Sequence, residues 1–519
     1  MSTAAAFASE GKITRQEVAA TPRALPADAT PQIVMVCPEL VPFAKTGGLA
    51  DMVSSLAVAL GSFGHQVRVM MPAYREVLEK GIAQDTGIRF SVSIAGRSEG
   101  GALLTATLGT GIPVYFIRSD RYFDRPFLYG TSAGDYPDNA ERFAFFARGV
   151  LEVLRQLGPA HVLHAHDWQA AMAITFLKAQ PELYPELASV RTVFTIHNLG
   201  YQGLFPPHQW GLLGLDQNLF TARHLEFYGQ INFLKGAIVF ADALTTVSPT
   251  YSREIQTAEY GFGLEGVLKA RAASLVGILN GADYEIWNPR MDRFLATNYG
   301  PGKLSGKGAC KADLQKTFGL REEAEIPLLG AVSRLVSQKG FDLLEGILGD
   351  LLQRGVQLVI LGSGDRKYQD FFQTAAQRNP GKLGVRIAFE DALAHKIEAG
   401  ADMFLMPSRY EPSGLNQLYS LKYGTIPIVR ATGGLKDSVA EYDPATGKGN
   451  GFLFDQYDGA AFLAAVDRAL AVFRKKEPWR TLMRTAMTAD HSWDRSASEY
   501  SNLYVNLVDG ARTHAELAP

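Results

Sequence analysis

The chain has 519 residues, 47% of them hydrophobic, which is too long for one ordinary core and enough for two. Its 51 Lys and Arg nearly cancel its 53 Asp and Glu, and the net charge of -2 excludes the global basic field that nucleic acid or an anionic membrane would need. Two cysteines, Cys37 and Cys310, exclude a disulfide framework and a thiolate metal cluster and fit a reducing cytoplasm, and no apolar run approaches the roughly 20 residues of a membrane span.

Residues 1–31, rich in Ala, Thr and Pro with no apolar block, read as a disordered leader. The alternative is a plastid transit peptide, against which the acids Glu10, Glu17 and Asp28 count. Folding is predicted to begin at 32–37, a continuous apolar run of the kind found in buried parallel strands. A glycine-bearing loop follows, then Leu49, Met52, Val53, Leu56 and Leu60 recur at helical spacing until Gly64, and 67–71 starts the next strand. Strands and helices alternate onward through strand candidates at 114–117, 162–165, 193–196 and 244–247. A second series opens at 276–279 and continues through 328–332, 356–361, 385–389, 403–406 and 426–429, with 289–307 as an irregular connection rich in Gly, Pro and Asn. The predicted class is α/β, with two doubly wound Rossmann-like domains over 32–275 and 276–493. Two such domains in tandem imply a cleft where both sets of strand C-termini face one ligand.

Five loops at predicted strand ends carry the chemistry. Lys45-Thr46-Gly47-Gly48-Leu49 lies between a strand and a helix start, where amides and the helix dipole attract phosphate. By itself such a turn is more often only a turn, and it is no Walker loop, because the lysine precedes the glycines. Arg334 and Lys339 follow the strand 328–332 and can converge on a pyrophosphate, although scattered loop cations are the plain reading of either alone. In Ser408-Arg409-Tyr410-Glu411-Pro412-Ser413-Gly414-Leu415-Asn416 the acid Glu411 stands beside the Leu415 and Asn416 amides of a helix N-terminus. It can hold sugar hydroxyls or stabilise positive charge at a sugar ring, or simply cap the helix. His164-Ala165-His166-Asp167 and Ile196-His197-Asn198 end neighbouring strands. Their histidines suit hydroxyl-rich ligands as well as a metal, and no H-E-x-x-H helix or carboxylate-rich loop accompanies them.

Together with Asp135-Tyr136-Pro137-Asp138-Asn139, Phe227-Tyr228-Gly229-Gln230, Leu279-Asn280-Gly281-Ala282-Asp283 and Ser492-Trp493-Asp494, these motifs resemble the bacterial glycogen synthase and plant starch synthase family from about Ile33 to Val508. The resemblance implies a GT-B fold and a retaining transferase moving glucose from ADP-glucose to the end of an α-1,4-glucan, glycogen or starch, with no cofactor, no metal, no nucleic acid and no membrane. It implies that Lys45, the Gly48 amide, Arg334 and Lys339 meet the donor phosphates and that Asp51 and Asn280 help seat the donor. His197 would contact the transferred glucose, Asp167 would lie near the acceptor hydroxyl, Glu411 would support the oxocarbenium-like transition state, and Tyr136 would touch the acceptor. It also implies a last helix, 494–508, that returns to the first domain before a tail at 509–519. Two departures stand out. Tyr419 occupies the place, eight residues after Glu411, where related glycosyltransferases often carry a second glutamate. Phe389 stands where a tyrosine commonly packs on the nucleotide base, leaving stacking alone. A pyridoxal-dependent glucan phosphorylase is a rival without a lysine motif here, and a silent glucan-binding protein is a rival that intact Lys45, Arg334, Lys339 and Glu411 oppose.

Overall fold

The computed structural model describes residues 30–109, 111–131 and 133–516, with side chains as far as 510. All but the last two residues of the predicted leader, and the end of the predicted tail, lie outside the described residues. The chain divides into two compact units. The first takes the residues up to Val247, Ser252–Ile278 and those from Trp493 onward, and the second takes Ser248–Tyr251 and Leu279–Ser492. No helix among the described residues is long and apolar enough to cross a membrane.

The large sheet of the first unit contains β1 (Gln32–Val36), β2 (Gln66–Pro72), β3 (Gln84–Ile94), β4 (Arg97–Leu108), β5 (Ile112–Arg118), β6 (Val162–His166), β7 (Arg191–Ile196), β8 (Ala243–Thr246) and β9 (Leu275–Gly277). Their order is β9-β8-β7-β6-β1-β2-β5-β4-β3. Pairing is parallel except for β4 against its neighbours β3 and β5. The long β3–β4 hairpin escapes a search for continuous apolar runs because only alternate residues, Phe90, Val92 and Ile94, turn inward from β3. A second correction concerns 276–279, expected to open the second domain. Leu275 and Val276 instead pair with Leu244 and Thr245, so β9 closes the first sheet and the boundary falls after Ile278. An apolar run shows that a strand is buried and not which sheet buries it.

Helix α1 (Gly48–Ser62) follows β1 and α2 (Asp167–Ala179) follows β6. Since β1 and β6 are adjacent while the chain winds away from them in opposite directions, the loops after them flank the switch point where open α/β sheets bind ligands.

In the second unit β10 (Leu328–Val332), β11 (Gln357–Gly362), β12 (Leu383–Ile387), β13 (Met403–Met406), β14 (Ile426–Arg430) and β15 (Phe452–Phe454) form an all-parallel sheet in the order β12-β11-β10-β13-β14-β15. This is the Rossmann order, with its switch between β10 and β13. One face of the sheet buries Leu329, Ile360 and Ile428 with Phe341, Leu344 and Leu348 of α3 (Phe341–Gln353). The other packs Leu328, Val359 and Phe404 on Leu314, Leu393 and Ile397. Helix α4 (Asn416–Tyr423) follows the β13 loop, and the connection expected to be irregular over 289–307 gives way to a helix at Ser305–Thr317. The last helix, α5 (Trp493–Glu516), belongs to the first unit and packs on α1. There His65 Nε2 lies 2.8 Å from Ser501 Oγ, and His164 Nδ1 lies 2.7 Å from Tyr504 OH.

Candidate active site

The first unit's site is built around a residue the motifs did not single out. Glu39, just past β1 and 4% exposed, accepts from the Thr46 amide (2.5 Å), the Thr46 hydroxyl (2.6 Å), the Gly47 amide (3.2 Å) and the Tyr129 hydroxyl (2.6 Å). A buried carboxylate so surrounded fixes the loop's course. The loop leads straight into α1, whose N-cap Gly47 has no side chain to accept from the first-turn amides. Lys45 and Asp51, both partly exposed, pair at 2.8 Å across that first turn. The lysine is thereby held beside the Gly48 end of the helix, where the dipole already favours an anion.

At the neighbouring strand end Asp167 begins α2 in a left-handed conformation, φ +58°. Burial pushes its carboxyl up to about 7, partly opposed by hydrogen bonds from the His197 and Asn198 amides; the first measures 2.8 Å. His197 is buried too, and desolvation takes its ring down to about 3, so it works as a neutral imidazole. Its Nε2 is 3.1 Å from His166 Nδ1, while His164 is held by Tyr504 and by Thr195 Oγ1 at 2.6 Å. Among the described residues no three His, Cys, Asp or Glu side chains converge as a metal site requires. Tyr136 lies under two guanidinium groups, Arg125 at 4.8 Å and Arg142 at 5.0 Å from its ring centre.

In the second unit the loops after β10 and β13 meet. Lys339 Nζ donates to Glu411 Oε1 at 2.8 Å and Oε2 at 2.6 Å, and Ser408 Oγ adds 2.9 Å to Oε2. Glu411 is 4% exposed, a burial that a carboxylate tolerates only with a cation and hydrogen bonds of this sort. Two glycines make the approach possible. Gly340 has φ +79°, and a Cβ there would lie 2.0 Å from the Pro407 carbonyl oxygen. Gly433 has φ +45°, with the Glu411 carbonyl oxygen 1.9 Å from any Cβ. Thr432-Gly433-Gly434 opens a short helix, Gly433–Ser438, directly under the Glu411 loop. Arg334 is exposed and donates to Gln338 Oε1 at 3.3 Å. Leu415 is the N-cap of α4, and Asn416 Nδ2 donates to the Val332 carbonyl at 2.7 Å, tying that helix to the end of β10. Asn280 is buried with its Oδ1 unpartnered among the described residues. Phe389 lies two residues beyond the end of β12, 85% exposed.

A family model for the starch synthase catalytic domain matches residues 32–270, and one for glycosyl transferases group 1 matches 315–479. The chain is 48% identical to a glycogen synthase of Koribacter versatilis over 91% of its own length and 97% of that protein. It is likewise 48% identical to a glycogen synthase of Syntrophotalea carbinolica over 92% of itself and 99% of the relative. The catalytic domain of starch synthase IV from Arabidopsis thaliana, solved bound to ADP and acarbose, superimposes with a TM-score of 0.84 at 34% identity, covering 92% of this chain and all of that one. The chain belongs to the glycogen and starch synthase family. It is a glycosyltransferase of the GT-B class, the first unit matching the starch synthase model and the second the group 1 model.

Within this synthase the structure also explains Tyr419. Its ring stacks on Trp287 at 4.0 Å and 4°, and Trp287 in turn stacks on His395 at 3.8 Å and 7°. The position eight residues after Glu411 is thus part of an aromatic cluster. Glu39 and Ser408 were missed because each acts on another site residue. An acid immediately after a buried strand was the available signal for Glu39, and for Ser408 there was none.

Proposed function

We propose that this synthase transfers glucose from ADP-glucose to the non-reducing end of an α-1,4-glucan, glycogen or starch, with retention of configuration. The observation that carries the reading is the buried Lys339–Glu411 pair at the switch point of the second unit, a cation suited to phosphate beside an acid suited to a sugar. The ADP and acarbose of the related starch synthase support an adenine donor and a glucan acceptor.

On this reading Arg334, Lys339 and the Leu415 and Asn416 amides hold the diphosphate from the second unit, and Lys45 and the Gly48 amide do so from the first. Asp51 and Asn280 help to seat the donor, and the Phe389 ring lies on its adenine. Glu411 stabilises the charge that develops at C1 of the glucose, and His197, a neutral donor or acceptor, touches that sugar. Asp167 and Tyr136 face the acceptor. The bond from C1 to the diphosphate oxygen breaks with its electron pair staying on the diphosphate. The glucan 4-oxygen bonds C1 on the face being vacated, and its proton passes to the departing diphosphate. ADP and a glucan longer by one glucose result. The cations neutralise the leaving group, so the reaction needs neither cofactor nor covalent enzyme intermediate.

Incubation with glycogen and either ADP-glucose or UDP-glucose tests this, with nucleotide release followed by chromatography and the new linkage by NMR. The expected outcome is glycogen-dependent release of ADP with α-linked product and a higher kcat/KM for ADP-glucose. A β-linked product, a higher kcat/KM for UDP-glucose, or one hexose retained on the Glu411 peptide after rapid quench would each overturn the part it addresses.

A further inference from the structure

Two bulky residues of the first unit occupy backbone positions that their side chains disfavour. Tyr228 has φ +47° and Phe262 has φ +49°, and each precedes a glycine that is also left-handed, Gly229 at +80° and Gly263 at +84°. Both are two-residue reversals. In the first, Phe227 pairs with Gln230 across an antiparallel hairpin; in the second, the Leu264 amide donates to the Gly261 carbonyl at 2.8 Å. Turns with two left-handed residues strongly prefer Asn-Gly or Asp-Gly, because a small polar side chain tolerates the first position. An aromatic residue there is strained twice over in one unit, and burial does not compensate. Tyr228 is 80% exposed and Phe262 40% exposed. Strain of this kind persists where function demands the side chain.

The two turns adjoin. A Cβ on Gly263 would lie 2.8 Å from Phe227 Cζ and 3.2 Å from Tyr228 Cε2, and the Phe227 and Tyr228 rings meet edge to face at 4.7 Å. They are also fastened to the segment that carries His197. Buried Gln202 donates through Nε2 to the Phe262 carbonyl (3.1 Å) and the Leu199 carbonyl (3.2 Å), and its Oε1 accepts from Asn232 Nδ2 at 2.7 Å, at the end of the hairpin's second strand. Hydrogen bonds thus tie both turns to the segment that carries His197.

We infer that Tyr228 and Phe262 form a stacking platform for glucose units of the acceptor chain upstream of its reacting end. The inference rests on the glucan-transferase reading. A pyranose ring has an apolar C–H face, and an exposed, rigidly held aromatic ring recovers solvent-exposed area by covering it. An α-1,4-glucan offers such faces repeatedly, whereas the nucleotide donor offers one sugar only. The platform thus selects for acceptor length.

The turn chemistry supplies the test. Tyr228→Asn and Phe262→Asn replace each ring by the residue that its backbone prefers, so both variants should fold with a melting temperature equal to or above that of the parent. Maltoheptaose affinity is measured by calorimetry without donor, alongside KM for ADP-glucose. Each variant should bind maltoheptaose about five- to tenfold more weakly, the double variant more weakly still, with the donor KM within about twofold of the parent. Parent-like maltoheptaose affinity in folded variants would overturn the platform while glucose transfer by the parent left the synthase reading intact. Absence of transfer by the parent would overturn both. Unchanged glucan binding with altered self-association by light scattering would reassign the rings to a contact between copies and overturn the proposal.

Discussion

The two units bury an acid at a sheet switch point and manage its charge in opposite ways. In the first, Asp167 is fed by backbone amides and its carboxyl sits near neutrality because burial dominates. In the second, Glu411 is matched directly with an ammonium and a hydroxyl. On the proposed reading Asp167 exchanges contacts with a neutral acceptor hydroxyl, a role that half protonation near pH 7 allows. On the same reading Glu411 faces positive charge at an anomeric carbon, and a buried carboxylate in that role requires a fixed cation beside it. On that reading pH sensitivity belongs to the first unit's acid and turnover to the second's.

Breaking the second unit's pair should have the largest effect. Glu411→Gln is expected to lower kcat by about 10³-fold or more, and Lys339→Ala by about 10²- to 10³-fold, read from steady-state kinetics. Lys339→Ala should also destabilise the fold by about 3 kcal/mol in denaturant titration, since it strands a buried carboxylate. The double variant Lys339→Ala/Glu411→Gln should recover most of that stability, and if it does not, the pair is not what Glu411 depends on.

Lys45→Ala and Arg334→Ala should each lower kcat by about 10²-fold. Being partly exposed, both side chains should leave stability within about 0.5 kcal/mol of the parent. Loss of stability together with activity would mean that the Lys45–Asp51 pair holds the loop and not the donor.

For the first unit the sign follows from linkage. A carboxyl raised to about 7 in the folded state binds more protons than in the unfolded chain, so its contribution falls as pH rises from about 4 to about 7. Asp167→Asn should therefore melt higher than the parent at pH 8, by an amount of order 1–3 kcal/mol, and the difference should shrink as pH approaches 5. A pH-independent difference would remove the raised carboxyl from the account. The smallest effect belongs to Phe389→Ala, which should cost less than tenfold in kcat/KM and fall more heavily on ADP-glucose than on UDP-glucose, stacking being worth about 1 kcal/mol. Equal loss with both donors would refute the stacking role.

Most of the parallel strands were legible because parallel strands bury both faces and print as apolar runs. Loops that join those runs to helices were legible for the same reason, and they contain Lys45, Asp167, His197, Arg334, Lys339 and Glu411. What stayed hidden was of another kind. The β3–β4 hairpin buries one face only, so its signal is half as dense. The Lys339–Glu411 pairing joins loops 72 residues apart and depends on clearance at Gly340 and Gly433, which is a matter of backbone approach. Glu39 carries no motif because two of its four donors are backbone amides, which any residue but proline supplies, and a third, Tyr129, lies 90 residues away.

The placement of α5 has a consequence for how the molecule is made. The first unit's sheet is complete in sequence by Gly277, yet Tyr504, which holds His164, and Ser501, which meets His65, come more than 220 residues later. A ribosome therefore releases the whole second unit before the first can finish packing. During synthesis the second unit can reach its final fold first, although it is encoded later, and His65 and His164 are among the last side chains to gain their partners. Chains halted before residue 493 should carry a folded second unit and a first unit with an open face beside α1, a natural handle for chaperones or proteases.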